Sequence, residues 1–484
     1  MNQHKFAPMS KNPTCDTDAY KIPHWMAMKP GLTHQYTYGE PRIGGKYPFA
    51  SYIGLTPVVQ DHFLQPVNNA MIEEGRELSN LTFGTDKYFN LEGWKKVRDL
   101  GYMPMKIMSA PEGGLYPTNN ALFTIESTKD WFAPMLNGAT ETMAMHVWYS
   151  TTVASRVYRI KERLKPLVEK SGTPELLPFM VNDFGARGAT DWMADYRGGI
   201  GQLLHFEGSD NLIASRAVGH YYGFKGRAKS VYATEHSVAL SFGLSHEEEV
   251  QYVLHQLEMC PKDLICAIVM DTKDLINFIT NVIGDPRVVA KIKERTAPTV
   301  GRPDSGVPLE SIERCLDIAT SIFGFTINAK GYKVLNNNFR LIQGDGMNEE
   351  SIISLYEAIV KNRWSTDNLF VGSGGGLLQV DLNRDTMRWA IKPSYGVFNH
   401  TEEKNFQKVV ASQPDKASKP GRLILHPTGK NTYSTFSSAV CTPAMFGSYH
   451  NVMTPLYHDG DFNPPKFVDM IARASAAAEY AFAA

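Results

Sequence analysis

The second half of this sequence predicts an α/β fold whose strands are wound into a barrel, and three observations predict it. From Leu177 onward, short apolar runs alternate with helical patterns, the texture of α/β layers. The runs keep ending in an acid or a glycine: PFMVND in Asp183, LLHFEGSD in Asp210, LICAIVMD in Asp271, TVGRPD in Asp304 and RLIQGD in Asp345. Two runs near the end, FRLIQGDG and NLFVGSGGGLLQ, are separated by one helical stretch, and each empties into a glycine loop. Strand, loop, helix, strand, loop makes the two strands parallel neighbours, with both loops leaving the same end of the sheet. In a barrel that end is the mouth, where active sites form and where late loops commonly bind phosphate.

Taken in order, residues 12–66 read as an extended, aromatic-rich region, and the alternation in HQYTYGE predicts a half-buried strand. Asp18, Tyr20, Lys21, His24 and Arg42 form a polar and aromatic cluster there, which strand and turn chemistry also accounts for. Residues 103–126 read as strands again, with Pro and Gly marking the turns. A long helix is predicted from about Thr140 to Lys170, with Arg156, Arg159, Lys161 and Arg163 on a solvated basic face. Helical patterns then separate the barrel strands, for example HEEEVQYVLHQLEM and LESIERCLDIATSIFG. Between the glycine runs, Asn348 is placed to cap a helix whose first turn carries Glu349 and Glu350 beside its positive end. Ile352, Ile353, Tyr356, Ile359 and Val360 fall on one face of it. After Lys392 the pattern breaks into strand-like, Pro- and Gly-rich segments that return to the N-terminal region. The expected organisation is thus a β-rich and helical region over 1–176, a barrel over 177–392 and a returning segment over 393–484.

Composition narrows the function. The 484 residues suffice for two or three domains and a large core. With 49 basic against 50 acidic residues there is no global attraction to nucleic acid or anionic membrane, so any phosphate must be held by a local site. Five dispersed cysteines without a CxxC pair point to a reducing compartment rather than a structural zinc site. No N-terminal apolar stretch resembles a signal peptide, and no run approaches the roughly 18 apolar residues of a membrane span. A cytoplasmic location is expected.

Several constellations carry chemistry. Gly344, Gly346, Gly374, Gly375 and Gly376 lack a β-carbon, so backbone N–H groups in these loops can crowd around an anion. Either loop alone reads as a tight turn; two on adjacent strands, with Asp345 in the first, read as a phosphate cradle. Arg302 and Asp304 place a permanent cation and a carboxylate two residues apart at a strand end. Such a pair can hold a sugar diol and an anionic or carbonyl oxygen, or be a structural ion pair. NDFGARG contains DFG, but no kinase glycine loop or HRD loop accompanies it. GSGGG lacks the GxGxxG spacing of a dinucleotide site. Phe184 offers a stacking surface for a flat ring, or a core side chain, and Arg187 offers charge. In VYATEHS, Glu235 stands beside His236, a nucleophile, a general acid/base or a hydrogen-bonded structural histidine.

A phosphate cradle, a diol-binding acid, cations and a flat pocket suit displacement of diphosphate from C1 of an activated ribose 5-phosphate by an aromatic base. At this point the sequence resembles the nicotinamide phosphoribosyltransferase family. The matching segments are TDAYK, APEGGLYP, DFGARG, FEGSD, YATEHS, RPDSG, IQGDG and GSGGGLLQ, in the family's order and over most of the chain.

The resemblance implies the type II phosphoribosyltransferase fold, an irregular α/β barrel with a β-rich domain built from both chain ends. It implies a homodimer with shared active sites, the substrates nicotinamide and phosphoribosyl diphosphate, and Mg²⁺ accompanying the diphosphate. It implies that Phe184 and the partner subunit's Tyr20 sandwich the pyridine ring with Asp18 nearby, and that Asp210 accepts the carboxamide N–H close to Ser230. Arg302 and Asp304 would contact base and ribose, and Gly344, Gly374 and Gly375 the 5-phosphate. Arg42, Arg384 and Lys392 from the other subunit would neutralise diphosphate or nucleotide phosphates. His236, supported by Glu235 and Asp274, would take a phosphoryl group from ATP. Two departures stand out: Met270 occupies the place expected for a serine near the carboxamide, and the spacer VDLN before Arg384 is one residue longer than usual. Asp210 would repel a carboxylate and accept from an amide, which favours nicotinamide. The alternatives are a nicotinate phosphoribosyltransferase and a non-catalytic barrel that binds a phosphate ligand.

Overall fold

The structure is a computed structural model describing residues 9–336, 339–409, 411, 417–429 and 432–478. Its described residues form two compact units, one lying within 1–155, 220–224 and 383–484, the other within 156–219 and 225–382. The division at 155/156 comes before the expected edge at 176/177, and the one at 382/383 comes before the expected edge at 392/393, so the second unit starts and ends earlier than the sequence pattern suggested.

The first unit is built on a seven-stranded sheet to which both ends of the chain contribute. Its order is Glu402–Asn405, Ala390–Phe398, Leu32–Glu40, Phe123–Ser127, Met105–Ser109, Thr454–His458 and Asp461–Phe462. Leu32–Glu40 contains the alternating HQYTYGE and pairs antiparallel with Ala390–Phe398 on one side and Phe123–Ser127 on the other. Phe123 and Ile125 are fully buried in one cluster with Leu55, Val58, Phe132 and Leu136, whereas Tyr38 is buried in another with Tyr36, Tyr395 and Leu423. The β-rich domain assembled from both chain ends is therefore present.

In the second unit six strands run parallel in the order Val181–Asp183, Leu369–Ser373, Phe339–Gln343, Thr299–Arg302, Cys266–Val269 and Tyr232–Ala233. Two isolated parallel bridges, Asp183 to Ser209 and Gly208 to Lys229, carry the pairing from the first strand on to the segment that leads into the last. The sheet thus curves round into an irregular barrel. The two glycine runs are parallel neighbours, Leu341 facing Leu369 and Gln343 facing Val371. Between them Asn348 caps the helix Glu349–Lys361, accepting from the N–H groups of Glu350 and Ser351. Tyr356 on its buried face donates to the carbonyls of Met180 and Leu369, tying helix to sheet.

The long basic helix departs from expectation. Two helices, Leu136–Met145 and Val147–Ser171, take its place, and only part of the basic face is solvated. Arg156 is buried and donates to the carbonyls of Gly376, Leu377 and Val380, at 2.9, 3.0 and 2.7 Å. Lys161 donates to the carbonyl of His205 at 2.9 Å, and burial pushes its amine down to about 8. Arg159, itself half-exposed, reaches the buried Glu349, and Arg163 meets Glu357 at the surface. A helix that packs on a barrel must turn some long basic side chains inward, where carbonyl oxygens at loop ends replace water as their partners.

Candidate active site

The C-terminal ends of the barrel strands open into two cavities joined by Phe184, Arg187 and Arg302, which line both. The first, about 420 Å³, is walled by Asp183, Asp210, Asn211, Ser230, Thr234 and Ala267, among others. The second, about 320 Å³, is walled by Asp304, Asp345 and glycines of both loops, Gly344, Gly346, Gly374, Gly375 and Gly376. Asp183 is the last residue of its strand, whereas Asp271, Asp304 and Asp345 each lie two residues beyond theirs. Sequence reasoning placed these acids together at the mouth, and Asp183, Asp210, Asp304 and Asp345 do line these cavities.

Phe184 forms the apolar wall. Its N–H donates to the carbonyl of Ser373 at 3.0 Å, and its ring packs with Ala267, Val300 and Ile342. The ring lies over Gly372, where a β-carbon would stand 2.0 Å from Phe184 Cε2. Arg187 follows in the short turn Ala186–Gly188 and is exposed to both cavities.

Asp210 faces this wall, its carboxylate accepting from the Ser230 hydroxyl at 2.5 Å. Protein crowding on its inner side raises the Asp210 carboxyl above the ordinary range, while Ser230 and the Arg302 charge oppose that rise. Behind it, Asp183 is fully buried and accepts from the Gly185 N–H at 2.7 Å and from Asn211 Nδ2 at 2.9 Å. The same Asn211 amide group donates to the buried Asp195. Burial pushes the Asp183 carboxyl up to about 6, and the nearby acids Asp195 and Asp210 add to the rise.

Arg302 and Asp304 do form an ion pair, Nη1 to Oδ2 at 3.1 Å, and Arg302 Nη2 also donates to the Thr234 carbonyl at 3.3 Å. His236 opens the helix His236–Leu240, with Nδ1 3.3 Å from Thr272 Oγ1. Its Nε2 lies 3.6 Å from Asp304 Oδ2 and 3.8 Å from Asp271 Oδ1. The expected support from Glu235 and Asp274 is replaced. Glu235 accepts from the Ser237 hydroxyl, and Asp274 caps the helix Leu275–Asn277 by accepting from the Asn277 N–H at 2.8 Å. Side chains of consecutive residues do not face each other at a helix start, and an aspartate before a helix is drawn to its free N–H groups.

Met270 also requires correction. It lies just past the strand Cys266–Val269 and is fully buried against Gly301, whereas Ala267 of that strand lines the first cavity. Strand side chains alternate, so 267 and 270 point to opposite faces. Sequence reasoning missed Arg156, Asn211, Thr234 and Ala267, and gave Asp271 no role beyond the mouth. Only Asp271 carried a signal, its place at a strand end.

The remaining expected residues belong to the first unit. Asp18 precedes the turn Ala19–Lys21, in which Tyr20 is 62% exposed. Arg42 Nε lies 3.6 Å from the buried Glu40 carboxylate, which also pairs with Lys419. Lys392 stands opposite Tyr38 in the sheet; burial and then the charges of Arg42, Lys408 and Arg384 hold its amine below the ordinary value, against the pull of Glu141. Arg384 pairs with its neighbour Asp385 at 2.8 Å and is half exposed, in spite of the longer spacer before it. Lys392 is thus within electrostatic reach of both Arg42 and Arg384.

Residues 179–442 match the Nicotinate phosphoribosyltransferase (NAPRTase) family, and residues 12–107 match the Nicotinamide phosphoribosyltransferase, N-terminal domain. The chain is 35% identical over 415 residues to a protein of Xanthomonas campestris pv. campestris (strain 8004) named nicotinamide phosphoribosyltransferase, covering 85% of this chain and 86% of that one. This chain belongs to the nicotinamide phosphoribosyltransferase family. Two crystal structures share its fold. Nicotinate-nucleotide pyrophosphorylase from Pyrococcus furiosus is 14% identical with a TM-score of 0.61, covering 98% of this chain and 97% of that one. Human nicotinic acid phosphoribosyltransferase is 15% identical with a TM-score of 0.56, covering 95% and 93%. The fold is that of the type II phosphoribosyltransferases.

Asp183, buried behind the cavity, makes the stability of this chain depend on pH with a definite sign. Its carboxyl is raised above the unfolded value, so the folded state binds the extra proton. The penalty for ionising it is absent below about pH 4 and complete above about pH 6, so this group lowers stability as pH rises through that window. Two pH units correspond to about 3 kcal/mol. Asp183→Asn should flatten that slope, read as the pH dependence of the urea midpoint between pH 4 and 6, whatever its effect on absolute stability.

Proposed function

We propose that this chain transfers the 5-phosphoribosyl group of phosphoribosyl diphosphate to nicotinamide, forming nicotinamide mononucleotide and diphosphate, a step of NAD salvage. The observation that carries this reading is Asp210 with Ser230 facing the Phe184 wall. A pyridine ring suits the wall, and a neutral carboxamide donates to Asp210, whereas the carboxylate of nicotinate would meet a like charge. The cavity beyond Arg302 suits the sugar phosphate, with Asp304 for the ribose hydroxyls and the N–H groups around Gly344, Gly374 and Gly375 for the 5-phosphate. The pyridine nitrogen then displaces diphosphate at C1, with Arg302 and Arg187 as the nearby cations.

Family membership further supports a homodimer in which the partner subunit's Asp18 and Tyr20 complete the base pocket. In the same reading Arg42, Arg384 and Lys392 of one protomer neutralise phosphates bound by its partner. Asp271, whose Oδ1 is buried without a hydrogen-bond partner, and Asp304 fit a Mg²⁺ ion, which would neutralise charge on the departing diphosphate. His236, between these acids, is the residue we assign to receive a phosphoryl group from ATP. Among the described residues no helix is long and apolar enough to cross a membrane, and we assign the enzyme to the cytoplasm.

Turnover of nicotinamide against nicotinate by the purified chain, with and without ATP, tests the reading directly. Within it, Asp210→Ser should erode the preference for nicotinamide. Losing a hydrogen bond to a charged group costs about 1.5–3 kcal/mol, or roughly one to two decades in kcat/KM. Unchanged discrimination between the two bases would remove Asp210 from base recognition.

The shared site is tested by mixing a chain carrying Tyr20→Ala with one carrying Asp304→Ala, each inactive by itself. Subunit exchange should regenerate one intact site per heterodimer and return activity. No recovery after demonstrated exchange would rule out sharing.

His236→Ala should abolish ATP hydrolysis and weaken phosphoribosyl diphosphate binding while leaving slow, ATP-independent nucleotide synthesis. ATPase and synthesis are measured on the same preparation; normal ATP stimulation would return His236 to a structural role.

A further inference from the structure

The barrel strand before His236 is only two residues long, Tyr232–Ala233, yet it must stop at a definite place. In a longer strand the Val269 N–H of the neighbouring strand would pair with backbone. Here it donates to the Thr234 hydroxyl at 3.1 Å. That hydroxyl also lies 2.6 Å from the Tyr252 phenol, which is 1% exposed and within 3.5 Å of the Val269 carbonyl. Thr234 keeps its own N–H on the Ala267 carbonyl at 3.1 Å, so its position across the sheet is held from both sides. A side chain has taken over the ladder bond, and the main chain is released to turn into the His236 helix. The freed Thr234 carbonyl is the one that accepts from Arg302 Nη2. One hydroxyl pair therefore sets the place of Arg302, whose guanidinium joins the two cavities, and of the turn that carries His236.

We propose, on the basis of the phosphoribosyl-transfer reading above, that Thr234 and Tyr252 are positioning residues acting through the Thr234 carbonyl on Arg302. Thr234→Val keeps the shape and removes the hydroxyl; Tyr252→Phe removes only the phenol oxygen. Each should lower kcat by about tenfold, the scale of one hydrogen bond, with the KM for nicotinamide changed less than about twofold. The pair should act as a unit, the double variant being little worse than either single one. Thr234→Ser, which retains the hydroxyl, should recover most of the activity. Ile268→Val, a fully buried change on the adjacent strand, serves as a control that lowers Tm without altering kcat. Hydrogen exchange of residues 235–240 is read on the same proteins and should quicken in Thr234→Val and Tyr252→Phe alone. Folded Thr234→Val and Tyr252→Phe proteins with wild-type kcat and wild-type exchange would overturn the proposal, as would a Thr234→Ser protein as poor as Thr234→Val. A wild-type chain that fails to turn over nicotinamide would count against the phosphoribosyl-transfer reading instead, and exchange would still decide the positioning role.

Discussion

At Gly376 a β-carbon would stand 2.1 Å from the Met347 carbonyl oxygen, and at Gly372 one would stand 2.0 Å from the ring of Phe184. Both distances are far inside van der Waals contact, so the approach of the second glycine loop to the first, and of the aromatic wall to its strand, depends on bare α-carbons. Ser373 reinforces the approach by donating to the same Met347 carbonyl at 2.6 Å. Arg156 holds the far side of the loop through three carbonyls. The glycine-lined cavity depends on Gly376, Met347, Ser373 and Arg156, which hold two loops at backbone distance, and the aromatic wall that both cavities share depends on the close approach of the Phe184 ring to Gly372.

Around this frame the charges are arranged in layers. Acids crowd the mouth: Asp183 is buried and favours its proton, Asp210 reaches the cavity, and Asp271 and Asp304 flank His236. Arg302 lies among them, held by Asp304 on one side and the Thr234 carbonyl on the other. A guanidinium keeps its charge in such a setting and offers N–H groups in fixed directions, so it can serve both cavities. Asn211 has the opposite task. Its amide donates to Asp183 and Asp195 together, which lessens the repulsion of two buried acids without adding a charge.

The first unit solves a related problem with cations. Arg42, just past the strand Leu32–Glu40, lies near the Glu40 carboxylate, and Lys392 on the neighbouring strand, which comes from the other end of the chain, has Glu141 as its compensating charge. Cations held this way are only partly neutralised by the protein, a state suited to an anionic ligand.

Much of the barrel was legible in the sequence because its signals are local. Apolar runs ending in Asp or Gly mark strands and their loops, Asn348 marks a helix start, and one strand–helix–strand unit makes its strands parallel. The composition of the mouth followed, since residues at equivalent strand ends meet when a sheet curls. What the sequence left undecided is orientation and partnership. Ala267 rather than Met270 faces the cavity because of pleat parity, which depends on where the strand begins. Asp271 and Asp304, not Glu235 and Asp274, approach His236 because they arrive from neighbouring strands, whereas Glu235 and Asp274 are turned toward their own helix starts. Arg156 looked like one more solvated base and became a buried clamp, a difference made only by the face its helix presents to the barrel. Periodicity fixes which residues share a face; only packing decides what that face meets.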